Sequence, residues 1–462
     1  MFLDTISFLD QQNLSKKIET LARHNLPAPT LWLLKKYAKK VEQKFYKALG
    51  KKYAPSTFWD FSESDLSSLK DATKYIYNLS LIALHNGNYD LALDICKIKY
   101  ELKNSIAQTL ELDLLNTRFF TEWSYAIGHM ALLWYYLILD NNHEVNPSHR
   151  IIAEESPCNP KLLSLFRPFV RDIITDPIVL KRMKPLTFLL EEPLHVIHTK
   201  NYGAVSHVFA CCAASKMSPN SFPILRLPEK DEANCLSTLK LMGYDEARWI
   251  CALHIRETEN PNLRNAAPDS YQEAIDEVYK KGGICIRIGE LRSKNALKKN
   301  VIDLSSLDKD TRKVLDIYVI ANCKFYIGTN SGPSFLATAF QKPIFFTNWW
   351  PVIRPTHFEK NLVTPKQVID IKTGRRLLFD NSMYSKIGLS EDINIQRRYG
   401  IKVVDNSQQD IKDGVVQLFD EVVIGAKRIQ YDNPLKQIID NSKYKMGVHD
   451  ARIPLISLDK YS

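Results

Sequence analysis

Four short stretches place residues with anion-binding or proton-transfer chemistry directly behind apolar runs. The fullest is YIGTNSGPSFLATAFQKPIFF (326–346). An apolar strand stops at Gly328, the turn Thr329, Asn330, Ser331, Gly332, Pro333, Ser334 follows, and a small-residue helix begins. Proline suits the first turn of a helix. The N–H groups there lack intrahelical acceptors, and the hydroxyls of Thr329, Ser331 and Ser334 add donors, so a phosphate or similar anion fits the turn. The same residues also read as an ordinary strand-to-helix turn capped by its own serine.

The second stretch is LHIRETENPNLRNAAPDSYQEAI (253–275), a strand that delivers Arg256 and Glu257 to its carboxyl end, with Arg264 and Asn265 in the loop before a helix. Arginine pairs bidentately with phosphate; a salt bridge from Arg256 to Glu257 or Glu290 competes with that role. His254, inside the strand, reads as a satisfied core histidine. In IRIGELRSKN (286–295) a strand ends at Gly289, with Glu290 and Arg292 beyond it. A carboxylate there could accept a ribose hydroxyl or sit on a surface loop. The fourth stretch, EWSYAIGHMALL (122–133), holds Gly128 and His129 in a loop between strand and helix. Such a histidine is a general base near neutral pH or a helix cap. HVIH (195–198) has helical i, i+3 spacing, a weak metal signal.

These residues need a scaffold that gathers strand ends. Residues 1–112 read as a helical extension: 64–109 has apolar residues at helical spacing, split by HNGNYD, with Gly87 suited to a left-handed cap. The pair resembles one tetratricopeptide-type hairpin, Ala83 facing Ala92. Residues 113–240 alternate short strands (117–123, 149–156) with helices, as βαβ units do. Residues 241–425 repeat the alternation more cleanly, with ARWICALHI, GICIRIG, KFYIG and KPIFFTN as buried parallel strands between helices. The fold class expected is therefore α/β, a pair of Rossmann-type domains behind a helical extension. The Lys-rich tail, 426–462, would wrap back or remain loose.

The chain has 462 residues, 45% hydrophobic and 25% charged, enough for several ordinary globular domains. A formal charge of +10 favours an anionic partner. No basic-aromatic platform of the RNA-binding type is visible, so nucleic acid is not expected. The N-terminus lacks the pattern of a secretory signal, and the longest apolar run, MALLWYYLIL, is too short to span a bilayer. Eight scattered cysteines form no CxxC. They suit a reducing cytoplasm, and no metal site is expected. The basic charge leaves room for peripheral contact with the inner face of a membrane.

The runs ICALHIRETE, LRNAAPDSYQEAI, GGICIRIGE and DIYVIANCKFYIGTNSGPSFLATAFQKPIFFTN resemble a bacterial family of glycosyltransferases with the GT-B fold, over roughly 113–425 and most strongly over 243–350. AIGHMALL is similar to that family's IGH loop, and LHIR and YIGTNSGPS are distantly similar to fucosyltransferases and heptosyltransferases. The resemblance implies a transferase that moves a sugar from a nucleotide-diphosphate donor to a glycan, lipid-linked or protein acceptor, without metal or cofactor and with inversion. Arg256 would hold the diphosphate, and Thr329, Asn330, Ser331, Gly332 and Ser334 would cradle it. Arg264, Asn265 and Gly289 would complete the donor side, and Glu290 would touch the nucleoside. His129, with Gly128 in the acceptor-side loop, or Glu257 would take the acceptor's proton. Glu257 stands where fucosyltransferases carry a second arginine, so the resemblance does not fix the sugar. Family members carry helical-repeat extensions, which suit a protein partner. Two rivals are a nucleotide-sugar epimerase of the same fold and a non-catalytic helical scaffold.

Overall fold

The computed structural model describes residues 14–109 apart from 25, 50–62 and 86–87; 117–134 apart from 120; 150–152; 156–180 apart from 179; 196–199; 203–206; and 225–455 apart from 290–296, 298, 353, 355, 357, 359, 380, 388–389, 430–433 and 436–450. The expected left-handed cap at Gly87 and the Glu290 and Arg292 positions lie outside them.

Three long helices, α1 (Pro27–Leu49), α2 (Glu63–His85) and α3 (Tyr89–Thr109), form the N-terminal unit. Leu34, Ile76, Ala83, Ala92 and Ile95 are buried in its own apolar core. Ala83 and Ala92 thus share the interior of the helical unit.

Strands β1 (Thr117–Phe119), β2 (Arg150–Ile152) and β3 (Asp172–Ile174) make a parallel sheet. Helix α4 (Ile127–Ala131) follows β1, α5 (Pro160–Ser164) follows β2, and α6 (Glu229–Leu241) precedes the large sheet. Asn159 caps α5, its side chain accepting from the Leu162 N–H at 2.9 Å. One sequence expectation is corrected here. Gly128 and His129 stand within a helix, because Ala126 already adopts the extended cap conformation and the turn starts at Ile127. His198 lies on strand β4 (Val196–Thr199), hairpinned to β5 (Gly203–Ser206). His195, the other histidine of HVIH, lies outside the described residues.

The remaining unit is a six-stranded parallel sheet, ordered β11-β10-β9-β6-β7-β8. Its strands are β6 (Trp249–His254), β7 (Gly283–Arg287), β8 (Val301–Asp303), β9 (Phe325–Gly328), β10 (Ile344–Trp349) and β11 (Leu362–Pro365). Alternation along β6 sorts the core by face. Cys251 and Leu253 meet helices α7 (Gln272–Lys280) and α10 (Gln408–Phe419). Ile250 and Ala252 join the opposite core with α8 (Lys309–Asn322) and α9 (Gly332–Ala339). That second core runs on into the first α/β unit through Trp123, Met130 and Phe166. Two parallel α/β units therefore share one apolar interior, and the α/β class expected is present. A separate antiparallel pair, β12 (Gln367–Asp370) with β13 (Ile401–Val404), follows β11 in the chain. All described cysteines are free, and Cys251 faces Cys285 across β6 and β7.

Part of the C-terminal tail wraps back. Arg452 bridges beside Leu362 on β11, its carbonyl accepting from the Val363 N–H at 2.8 Å. Its guanidinium grips Glu421, and the two side chains are 9% and 5% exposed. Removing one member of a buried pair strands the other's charge. Arg452→Ala is therefore expected to destabilise by about 3 kcal/mol, read from urea unfolding; no loss would mean that the tail does not dock.

Candidate active site

Counted from β6, the large sheet runs β8-β7-β6-β9-β10-β11. The chain winds out one way from β6 through β7 and β8, then returns to place β9 on the other side of it. Between β6 and β9 the loops diverge, and such a switch point is where parallel sheets bind ligands. The β6 loop carries Arg256 and Glu257; the β9 loop carries Thr329 to Ser334. A cavity of about 870 Å³ opens there, lined also by Tyr125 to His129 and Ser156 to Asn159 of the first α/β unit.

The turn after β9 is built from its own polar groups. Thr329 donates its N–H to the His254 carbonyl at 3.2 Å, and its Oγ1 accepts from the Arg256 N–H at 3.0 Å. Asn330 donates from Nδ2 to the Trp350 carbonyl at 3.0 Å. Ser331 Oγ shares a 2.9 Å hydrogen bond with His254 Nδ1 and donates to the Thr329 carbonyl at 3.2 Å. Ser334 donates its hydroxyl to the Ser331 carbonyl at 2.7 Å. The three hydroxyls expected to cradle an anion are thus buried and committed to the turn, which corrects how they act. Ser331 has extended backbone at the N-cap of α9, yet no side chain caps that helix. Pro333 sits in the first turn as expected. The start of α9 therefore keeps its positive dipole end toward the cavity.

Arg264 and Asn265 serve as braces. Arg264 donates Nε and Nη2 to the Asn330 carbonyl at 3.0 and 2.6 Å, and Nη1 meets both oxygens of Glu391 at 3.2 Å. Asn265 is bonded to Thr258, while its carbonyl accepts from Lys366 Nζ at 2.6 Å. Lys366, buried, also holds Asp405 at 2.6 Å. These contacts fix the loop that carries Arg256.

Glu257 does not pair with Arg256. Its carboxylate accepts from Arg287 Nη2 at 2.7 Å, and Arg287 is 3% exposed. Arg287 ends β7 within a run that reads as apolar, so sequence reasoning missed it. Gly289 has φ +85°, a left-handed conformation that favours glycine, and it donates its N–H to Asp316 of α8. A Cβ there would stand 2.9 Å from the His254 ring.

His254 is half-buried at the end of β6 and lies near Arg256, Arg287 and Arg264; burial first, then these positive charges, push its pKa down to about 3. It is a neutral hydrogen-bonding post. His129 lines the opposite wall, edge-on to Tyr125 with ring centres 5.0 Å apart. Its Nδ1 is buried and has no hydrogen-bond partner among the described residues. Burial holds its pKa below the ordinary histidine value.

Gly128 places this wall. A Cβ on Gly128 would sit 2.5 Å from Gly332 Cα, and one on Gly332 would sit 2.9 Å from the Gly128 nitrogen. Helices α4 and α9 thus cross backbone to backbone, bringing His129 of one unit beside the β9 turn of the other.

No family model matches the chain, and no curated protein matches it by sequence. Among solved structures it is similar to E. coli ADP-heptose LPS heptosyltransferase II, with 14% identity over 50% of this chain and 84% of that one, TM-score 0.33. It is also similar to a glycosyl transferase family 9 protein from Veillonella parvula, with 11% identity over 66% and 97%, TM-score 0.40. An E. coli heptosyltransferase solved with ADP shares 12% identity over 54% and 90%, TM-score 0.29.

Two outcomes are expected. Gly128→Ala should cost about 1–3 kcal/mol in urea unfolding through over-packing; an unchanged midpoint would refute the backbone crossing. His254 binds a proton more readily unfolded than folded, so its contribution is complete above its unfolded pKa of about 6.5 and is lost as pH falls toward its folded value. The stability gap between wild type and His254→Gln should therefore narrow by about 2 kcal/mol between about pH 7.5 and pH 5. A constant gap would show that the ring is not held neutral.

Proposed function

We propose that the protein is a glycosyltransferase that uses a nucleotide-diphosphate sugar. The observation that carries this reading is the uncapped start of α9 beside Arg256, both at the switch point of the large sheet. A diphosphate laid there meets a guanidinium and a positive helix end. As the sugar's anomeric carbon parts from the diphosphate oxygen, negative charge grows on the leaving group. Fixed donors aimed at that oxygen stabilise it without reorganising. In this reading no metal is required for that charge.

The acceptor approaches from the α4 wall. Its hydroxyl oxygen attacks the anomeric carbon, the carbon–phosphate-oxygen bond breaks, and the nucleoside diphosphate keeps the bonding electrons. The hydroxyl proton passes to the neutral imidazole of His129. A single displacement inverts the anomeric centre. We assign the proton to His129 and not to Glu257 because Arg287 already holds the Glu257 carboxylate. Arg264 and Asn265 act by holding the Arg256 loop.

Thermal unfolding with GDP, UDP, dTDP, CMP and ADP, with and without magnesium, tests the donor half. One nucleotide at about one hundred times its dissociation constant should add ~2.7 kcal/mol, without magnesium, and Arg256→Ala should abolish the gain. No stabilisation by any of them, with the variant folded, would sink the reading. Release of that nucleoside diphosphate from its sugar conjugate tests the acceptor half: His129→Asn should slow it ~10²–10⁴-fold. The acid limb of the wild-type rate should lie below about pH 6.5, because burial favours the neutral ring.

A further inference from the structure

Helix α1 has two unlike faces. Leu33, Leu34, Tyr37, Ala38 and Val41 turn inward and are buried in the core of the helical unit. Trp32, Lys35, Lys36 and Lys39 are exposed. Steps of three, four and seven residues from Trp32 set them in one stripe of an α-helix. The helix contains no aspartate, and its one glutamate, Glu42, accepts from the Ser105 hydroxyl of α3. Among the described residues no carboxylate pairs with Lys35 or Lys39. Lys36 lies over the Trp32 ring, its Nζ 3.7 Å from the ring centre.

Trp32 is 58% exposed. A large ring left in water forfeits the gain of burial. Indole, with an apolar body and one N–H donor, is a side chain favoured where water meets lipid head groups. The chain just ahead of it extends the uncharged surface: Leu26 is 46% exposed, and Pro27, Ala28 and Pro29 are exposed too. Along α1 the outer surface thus passes from apolar to cationic. An acidic leaflet matches both parts, with a negative surface potential for the lysines and head-group depth for the ring. Nucleic acid matches less well. Its phosphates and bases are met by arginine forks and stacked rings, and this stripe holds one ring and no arginine. The helical unit is also fastened to the first α/β unit, whose Ile174 and nearby Leu180 pack on its core. A surface held at α1 therefore tethers the α/β units with it.

We propose that the outer face of α1 docks on an anionic lipid surface, with Lys35, Lys36 and Lys39 at the head-group phosphates and the Trp32 ring among the head groups. This docking does not rest on the glycosyltransferase reading.

Cosedimentation of the full chain with vesicles of phosphatidylcholine, and of phosphatidylcholine mixed with phosphatidylglycerol, tests it. The mixed vesicles should bind more tightly by about tenfold or more, and raised salt should release the protein. Lys35→Gln/Lys36→Gln/Lys39→Gln should weaken that binding by about tenfold or more. These side chains are exposed, so an unchanged melting temperature is expected and checks that the variant is folded. Lys230→Gln/Lys324→Gln/Lys402→Gln removes the same charge from exposed lysines elsewhere and should bind as wild type does. Brominated acyl chains in the mixed vesicles should quench part of the wild-type tryptophan emission, and that part should vanish in Trp32→Ser. Equal loss in the two triple variants, equal binding to neutral and mixed vesicles, or equal quenching in Trp32→Ser overturns the proposal. A single-stranded oligonucleotide that binds more tightly than the mixed vesicles, and is lost with the α1 variant, overturns it in favour of nucleic acid.

Discussion

The contact between Gly128 and Gly332 governs the rest of the site. Two α/β units could share a core in many orientations. Here a five-residue helix from one and the start of an eight-residue helix from the other touch through backbone alone. A single added methyl on either side has no room. The approach fixes His129 relative to the β9 turn more tightly than side-chain packing would, because no rotamer can adjust it. It also closes one end of the cavity, so the open walls are those of α8 and the 156–159 loop.

His254 performs the complementary task inside the large sheet. Its carbonyl receives Thr329 and its ring holds Ser331, so one residue at the end of β6 ties both ends of the β9 turn. Three arginines crowd it, yet the site tolerates them because the ring carries no charge. The charges are then separated by function. Arg287 is neutralised by Glu257 and Arg264 by Glu391. Each arginine that is locked this way supports a loop that carries another group to the cavity.

Much of this was legible in the sequence, and the failures have physical causes. The strands KFYIG, GICIRIG and ARWICALHI and the helix after Pro333 were readable because apolar runs between turn residues admit few alternatives. The candidate site was less so. Arg287 hides in an apolar run because its partner Glu257 lies thirty residues away on a neighbouring strand end, a pairing that only the sheet order creates. The IGH segment read as a loop because glycine beside a polar residue signals a turn; its glycine in fact serves a helix crossing. The cations of α1 were present as a helical stripe, but a charged face is ordinarily solvated, and only the exposed ring among them distinguishes it.

The same reasoning explains why Ser331 matters more than its hydroxyl count suggests. A serine at an N-cap position usually satisfies its own helix. Here the hydroxyl is turned away to His254, and the helix start is left to face the cavity. The histidine is thereby coupled to the helix start: any change that charges the ring would place a cation against three arginines beside the turn that Ser331 anchors. Neutrality of the His254 imidazole and exposure of a helix terminus are one arrangement, and the polar residues around them are paired so that both persist.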